Sequence, residues 1–169
     1  MEIKLSGIVN DSIVDGPGMR LSVFTQGCPH HCPDCHNPQT HDPEGGFITD
    51  TSFVLNALAE NPLLDGVTLS GGEPFEQPLA CEEIARGAKT MGLDVWVYTG
   101  YTLENFLQQN DPKTLSLLQQ IDVLIDGPFE KENQSLNLLF CGSTNQRLID
   151  VKKSLSSNTV TLWENKSYF

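Results

Sequence analysis

Apolar residues along this chain fall in short runs, separated by amphipathic stretches of helical period. Leu21, Val23 and Phe24 in M-R-L-S-V-F-T give the first alternation, a strand period. Thr49 or Asp50 is placed to cap a helix through about Glu60, with Phe53, Val54, Ala57 and Leu58 on its inner face. Gly66 opens V-T-L-S, a short run of the buried-strand type, and Gly71-Gly72 makes a turn. Pro78 suits a first helical position, and its helix runs to about Met91 with Gly92 as the stop. Leu93 to Tyr98 (L-D-V-W-V-Y) is the clearest strand. Thr102 caps a helix to about Gln109, and Asp111-Pro112 starts another to about Gln120. Ile121 to Asp126 is a strand closed by Gly127-Pro128. Arg147 to Val151 and Thr159 to Trp163 read as short strands.

Alternating strands and helices predict an α/β fold with parallel strands and right-handed crossovers. No linker or internal repeat interrupts the pattern, so residues 1–169 are expected to form one domain. Ligands of such folds gather at the carboxyl ends of the strands. The loops expected there hold Cys28–Cys35, Gly71–Pro74, Thr99–Tyr101 and Asp126–Pro128.

Charge narrows the partners. Ten Lys and Arg stand against 22 Asp and Glu, a formal net charge of −12. So acidic a chain lacks the cations that displace counterions from a phosphate backbone, so nucleic acid is not an expected partner. No run approaches the roughly 18 apolar residues of a membrane span. Glu2, Lys4, Asp11 and Asp15 give the N-terminal stretch no secretory character, and the expected compartment is the cytoplasm.

Three of the five cysteines and all four histidines (His30, His31, His36 and His41) lie between positions 28 and 41. An odd cysteine count without a secretory signal argues against a disulfide framework. Cys81, in a helical pattern, and Cys141, beside an apolar run, read as small buried hydrophobes. The remaining three form C-P-H-H-C-P-D-C, a C-x3-C-x2-C. A four-iron cluster ordinarily takes four cysteines, and this loop supplies Cys28, Cys32 and Cys35. Two readings stay open on spacing alone. A histidine completes a zinc site, or one iron is left free for a substrate.

Gly71-Gly72-Glu73-Pro74 follows the next strand. Two glycines let backbone approach a ligand closely, and Glu73 adds a carboxylate suited to an ammonium group. Alone the string is an ordinary turn. One crossover after the three-cysteine loop it becomes informative.

With both motifs in place, the chain resembles the radical S-adenosylmethionine enzymes. S-I-V-D-G-P-G-M-R before the loop, C-H-N-P after the third cysteine, and C-G-S-T-N-Q-R-L-I-D-V near the C-terminus resemble the activators of anaerobic ribonucleoside-triphosphate reductase within that superfamily. The resemblance runs from about Gly7 to Trp163. It implies an open, partial parallel β/α barrel, since a complete (β/α)8 barrel takes about 250 residues. It implies that Cys28, Cys32 and Cys35 hold a [4Fe-4S] cluster, whose open iron is chelated by the amino and carboxylate groups of S-adenosyl-L-methionine. Asp34, Cys35 and His36 lie where the family's loop touches that cofactor. Gly71, Gly72 and Glu73 match its amino-group site, and Thr99 and Asp126 are candidates for its carboxylate and ribose. Arg20 is a candidate for the partner, the cofactor or a strand-edge ion pair.

The implied reaction is reductive cleavage of S-adenosylmethionine, then hydrogen abstraction from a glycine of the reductase. A flavodoxin or ferredoxin is the usual electron donor. One departure stands out: many members carry an aromatic residue before the third cysteine, where this chain has Asp34. Competing readings are an activator of the pyruvate formate-lyase type, a small-molecule radical enzyme of deazapurine synthesis, and a zinc-stabilised interaction module.

Overall fold

The fold is described from a computed structural model covering residues 1–165. Its centre is a seven-stranded sheet of order β3-β1-β2-β4-β5-β6-β7. The strands are β1 (Glu2–Ser12), β2 (Arg20–Thr25), β3 (Phe47–Asp50), β4 (Gly66–Gly71), β5 (Asp94–Tyr98), β6 (Val123–Asp126) and β7 (Arg147–Asp150). β2, β4, β5 and β6 are mutually parallel, as the alternating pattern predicts. β1, β3 and β7 pair antiparallel at the flanks, so the fold is mixed α/β with a parallel centre. The two ends of the sheet do not pair with each other, and the sheet is not closed. No helix among the described residues is long and apolar enough to cross a membrane.

Register explains the two faces. Leu21, Val67 and Val95 sit side by side, as do Val23, Leu69, Val97 and Leu124. Strand side chains alternate faces, so these rows point one way. There they meet Val54 and Leu58 of α1 (Thr51–Glu60), Ile84, Ala85 and Ala88 of α2 (Pro78–Thr90), and Leu103 and Phe106 of α3 (Leu103–Gln109). Leu117 and Leu118 of α4 (Pro112–Leu118) and Val151 of α5 (Val151–Ser157) complete the cluster. Burying each such aliphatic side chain is worth roughly 1.5–3 kcal/mol. Within α1, Phe53 is 43% exposed and packs edge-on to Phe47 rather than entering the core.

The opposite face is more polar. Arg20, Ser22 and Thr68 are fully buried on it, beside Trp96. The Arg20 guanidinium donates to Thr68 Oγ1 at 2.8 Å and to the carbonyls of Pro17 and Val67 at 3.0 Å each. It also pairs with Asp94 and lies 5.5 Å over the Trp96 ring. Arg20 is therefore the strand-edge ion pair among its three expected roles. Its bond to the Pro17 carbonyl pins the D-G-P-G-M-R segment, and Asp15 anchors the same segment by accepting from Ser12 and Ser22 at 2.8 and 2.6 Å.

Asp50, Thr102 and Asp111 cap α1, α3 and α4 through Ser52, Asn105 and Thr114. The anticipated strand over Thr159–Trp163 is reduced to one bridge, Ile149 with Leu162.

Candidate active site

The carboxyl ends of β2, β4, β5 and β6 open on one edge, and their loops meet there. Cys28, Cys32 and Cys35 line one wall of a cleft of about 130 Å³. Gly72, Thr99, Gly100 and Gly127, at the ends of β4, β5 and β6, line the same cleft. His36, Phe129 and Gln146 also line it. Of the residues singled out in the sequence, the three cysteines, His36, Gly72 and Thr99 therefore converge. Asp34 is exposed, with φ at 58°, and Gly71, Glu73 and Asp126 lie outside the lining.

All three thiols are free and half-buried. The loop carrying them is held locally. Cys28 N–H donates to the His41 carbonyl, Cys35 N–H to the Cys32 carbonyl, and Asn37 N–H to Cys35 Sγ at 3.4 Å. Burial raises the Cys28 thiol pKa, against lowering hydrogen bonds from the His30 and His31 backbones. A bound metal centre reverses that preference, because a coordinated thiol is deprotonated. Cys28, Cys32 and Cys35 bring three soft sulfur donors to one cleft, the donor chemistry of an iron–sulfur cluster held at three corners, though among the described residues no three His, Cys, Asp or Glu side chains are already grouped closely enough to hold a metal ion.

The two further cysteines stand apart. Cys81 is fully buried on α2, its thiol pushed up to about 12 by burial. Cys141 is half-buried in an adjoining groove, its thiol raised to about 11 by the same cause.

Gly71 and Gly72 serve the protein's own backbone. Gly71 has φ at 93°, and a Cβ there would lie 2.6 Å from Phe24 Cα. At Gly72 a Cβ would sit 2.3 Å from the Gly27 carbonyl oxygen. The turn is thus pressed against the chain leaving β2, with Gly72 N–H on the Thr25 carbonyl and Glu73 N–H on the Gly27 carbonyl. That contact fixes the start of the cysteine loop.

The Glu73 carboxylate is fully buried, and its oxygens are already engaged. Oε1 accepts from Phe75 N–H at 3.1 Å and Thr99 Oγ1 at 2.9 Å. Oε2 accepts from Gly100 N–H at 2.9 Å and His30 Nε2 at 2.7 Å. An ionised carboxylate has about four acceptor positions, and four donors fill them here. The Thr99 hydroxyl is engaged too, donating to Glu73 and accepting from Tyr101 N–H at 3.1 Å.

Asp126 is 1% exposed and turned toward α3 and β7. It accepts from Leu103 N–H at 2.9 Å and from Arg147 Nε and Nη2 at 3.0 and 2.6 Å. Its neighbour across the loop is Gln146, for which the sequence suggested no role. Gln146 Oε1 accepts from Gly142 and Ser143 N–H, and its Nε2 donates to the Gly127 carbonyl at 3.0 Å. Phe129 stands beside it, 4.9 Å from the His36 ring. Gln146 lies within the C-G-S-T-N-Q-R string that carries the resemblance, but only the fold brings it and Phe129 to the cysteines.

Residues 14–149 match a family described as a 4Fe-4S single cluster domain. The anaerobic ribonucleoside-triphosphate reductase-activating protein of Enterobacteria phage T4 is 36% identical over 158 residues, covering 89% of this chain and 92% of that protein. Proteins of the same name from Haemophilus influenzae and Escherichia coli K12 are 33% and 32% identical over 143 residues. Each alignment covers 79% of this chain, with 89% and 90% of those relatives. The chain belongs to this activating-protein family. The segment matching the cluster domain ends inside β7 and so takes in the cysteine loop, the Gly71–Glu73 turn, Gln146 and Arg147.

Proposed function

We propose that this chain is a glycyl-radical activase. It cleaves S-adenosylmethionine reductively at a [4Fe-4S] cluster and abstracts hydrogen from a glycine of an anaerobic ribonucleoside-triphosphate reductase. The observation that carries this reading is the cleft at the carboxyl edge of the parallel strands, walled by three free thiols with Cys81 and Cys141 set apart.

Cys28, Cys32 and Cys35 would hold the cluster, leaving one iron for the amino and carboxylate groups of S-adenosylmethionine. The cluster, once reduced by an external donor, would supply the low-potential electron that the bound sulfonium accepts in reductive cleavage. The chain itself supplies position and exclusion of water. Glu73 acts from beneath, holding Thr99 and Gly100 at the rim, and leaves the amino group to the backbone of the Gly71–Gly72 turn. His36 and Thr99 would line the cofactor's cleft, with Gln146 and Phe129 beside them. Asp126 positions Arg147 rather than the ribose. With Asp34 turned outward, backbone groups of its loop are left for the adenine.

The cleft adjoins a groove of about 530 Å³ that shares His36, Tyr98, Phe129 and Gln146 with it. Phe24, Ser70 and Phe140 are among the residues that line the rest of the groove. We read the unclosed sheet as a partial barrel, and this groove as room for a backbone loop of the reductase. The chain is read as one cytoplasmic domain, residues 1–169, taking its electron from a flavodoxin or ferredoxin.

The test mixes the anaerobically reconstituted protein with reductant, S-adenosylmethionine and the reductase. Electron paramagnetic resonance should detect a glycyl radical on the reductase, with methionine released. Cofactor cleavage that leaves the reductase without a radical overturns the reading.

A further inference from the structure

The cysteine loop has weak anchorage at its centre. Between residues 29 and 34, one hydrogen bond reaches beyond the loop among the described residues: His30 Nε2 to Glu73 Oε2, at 2.7 Å. The loop has no regular structure there, and His31 and Asp34 sit at positive φ, 49° and 58°. Cys28 is anchored from behind through His41, and Cys35 is followed by the turn at Pro38–Thr40. Cys32 lies between, on the segment that His30 alone ties down by a hydrogen bond.

The receiving site is built to take that ring. Glu73 is buried and rigidly held by Phe75, Thr99 and Gly100. Tyr101 meets the His30 ring edge-on, with centroids 4.5 Å apart. Position 100 is glycine, and a Cβ there would lie 2.5 Å from His30 Cδ2. An ionic acceptor, an aromatic neighbour and a clearance for the ring thus come from the ends of β4 and β5.

We propose that His30 is a positioning residue, fixing the three-thiol loop at one distance from the Gly71–Glu73 turn and the Thr99–Gly100 strand end. These two halves of the site ride on separate crossovers. A cluster held by the loop and a cofactor held by the strand ends need a common frame; the Gly72–Gly27 contact sets it at the start of the loop, and the His30–Glu73 bond extends it to the loop's centre. The inference rests on the function proposed above and adds a residue to it.

The experiment compares wild type with His30→Ala, His30→Gln and Gly100→Ala, all reconstituted anaerobically. Gln places an amide N–H near the position of imidazole Nε2. Gly100→Ala leaves every hydrogen-bonding group in place and displaces the ring. Iron and sulfide per chain are assayed first, then S-adenosylmethionine affinity by equilibrium dialysis, then the cofactor-dependent change in the reduced cluster's electron paramagnetic resonance spectrum. Iron content should stay at the wild-type level in all three variants, because the thiolates supply the cluster's bonds. Affinity should fall about tenfold in His30→Ala and Gly100→Ala, the scale of one charge-assisted hydrogen bond. Most of it should return in His30→Gln, with the spectral change restored. Wild-type affinity in both His30→Ala and Gly100→Ala overturns the proposal. So does loss of iron in His30→Ala and His30→Gln alike, which makes His30 a ligand or a folding residue. Zinc in place of iron in the wild-type protein strikes instead at the proposed function, and is read from the first assay alone.

Discussion

Arg147 grips Asp126 with two nitrogens, Nε at 3.0 Å and Nη2 at 2.6 Å, and reaches Glu104 with the same Nη2 at 2.8 Å. The contact joins the end of β6, the start of β7 and the first turn of α3 beside the cleft. Asp126 is buried, so truncating Arg147 strands a carboxylate with one remaining donor, Leu103 N–H. Arg147→Ala should cost about 2–3 kcal/mol in urea unfolding, with an unchanged denaturant slope. Arg147→Lys keeps the charge without the forked geometry and should recover about half. A loss below about 0.5 kcal/mol in Arg147→Ala contradicts the assignment of Asp126 as a positioning group.

Gly72 is predicted to be intolerant for a reason unrelated to ligand contact. A methyl group there meets the Gly27 carbonyl, which is backbone and cannot swing away. Gly72→Ala should destabilise the fold by about 1–3 kcal/mol and lower iron uptake on reconstitution, by pushing the turn off the cysteine loop. Wild-type melting and iron content in this variant would show that the close approach is dispensable.

The pH dependence has a defined acid-side component. Asp50 caps α1, and the Ser52 backbone N–H, then the terminal amino group and the Ser52 hydroxyl, hold its pKa down at about 2, against an ordinary 3.8. A depressed folded-state pKa means that the carboxylate stabilises the fold above about pH 4, and that this is lost as pH falls through about 2. Asn at position 50 still caps but carries no charge toward the helix dipole. The melting-temperature gap between wild type and Asp50→Asn should therefore be widest above pH 4 and close toward pH 2. A gap that stays constant over that range contradicts the assignment.

The parallel centre was legible because its strands are short buried runs bounded by glycine, and its helices open on Asp50, Thr102 and Asp111. β1 was not. A register shift between Leu5 and Gly7 breaks its alternation, so Ile3, Leu5 and Ile8 never form a clean period. β3 was hidden because Phe47 and Ile48 lie exposed on an edge strand, where an apolar pair has no core to mark. α5 is not announced by the sequence, since V-K-K-S-L-S-S presents too few apolar positions for a helical period, and only its first residue, Val151, falls in the expected Arg147–Val151 strand. In the site, the cysteines announced themselves by spacing. His30 did not, as one of four histidines in a single loop, and its partner lies 43 residues away. The carboxylate of Glu73 was legible as important but not as buried; its four donors come from three different segments.

The proposed function requires that three thiols hold a cluster and leave one iron to S-adenosylmethionine. Its most direct measurement is metal analysis of the anaerobically reconstituted protein, followed by electron paramagnetic resonance of the reduced form with and without the cofactor. The proposed function predicts about four irons and four sulfides per chain. It also predicts a spectrum that changes on adding S-adenosylmethionine, and loss of both in Cys28→Ala, Cys32→Ala and Cys35→Ala but not in Cys81→Ala or Cys141→Ala. A single zinc per chain, or a cluster spectrum indifferent to the cofactor, would contradict it.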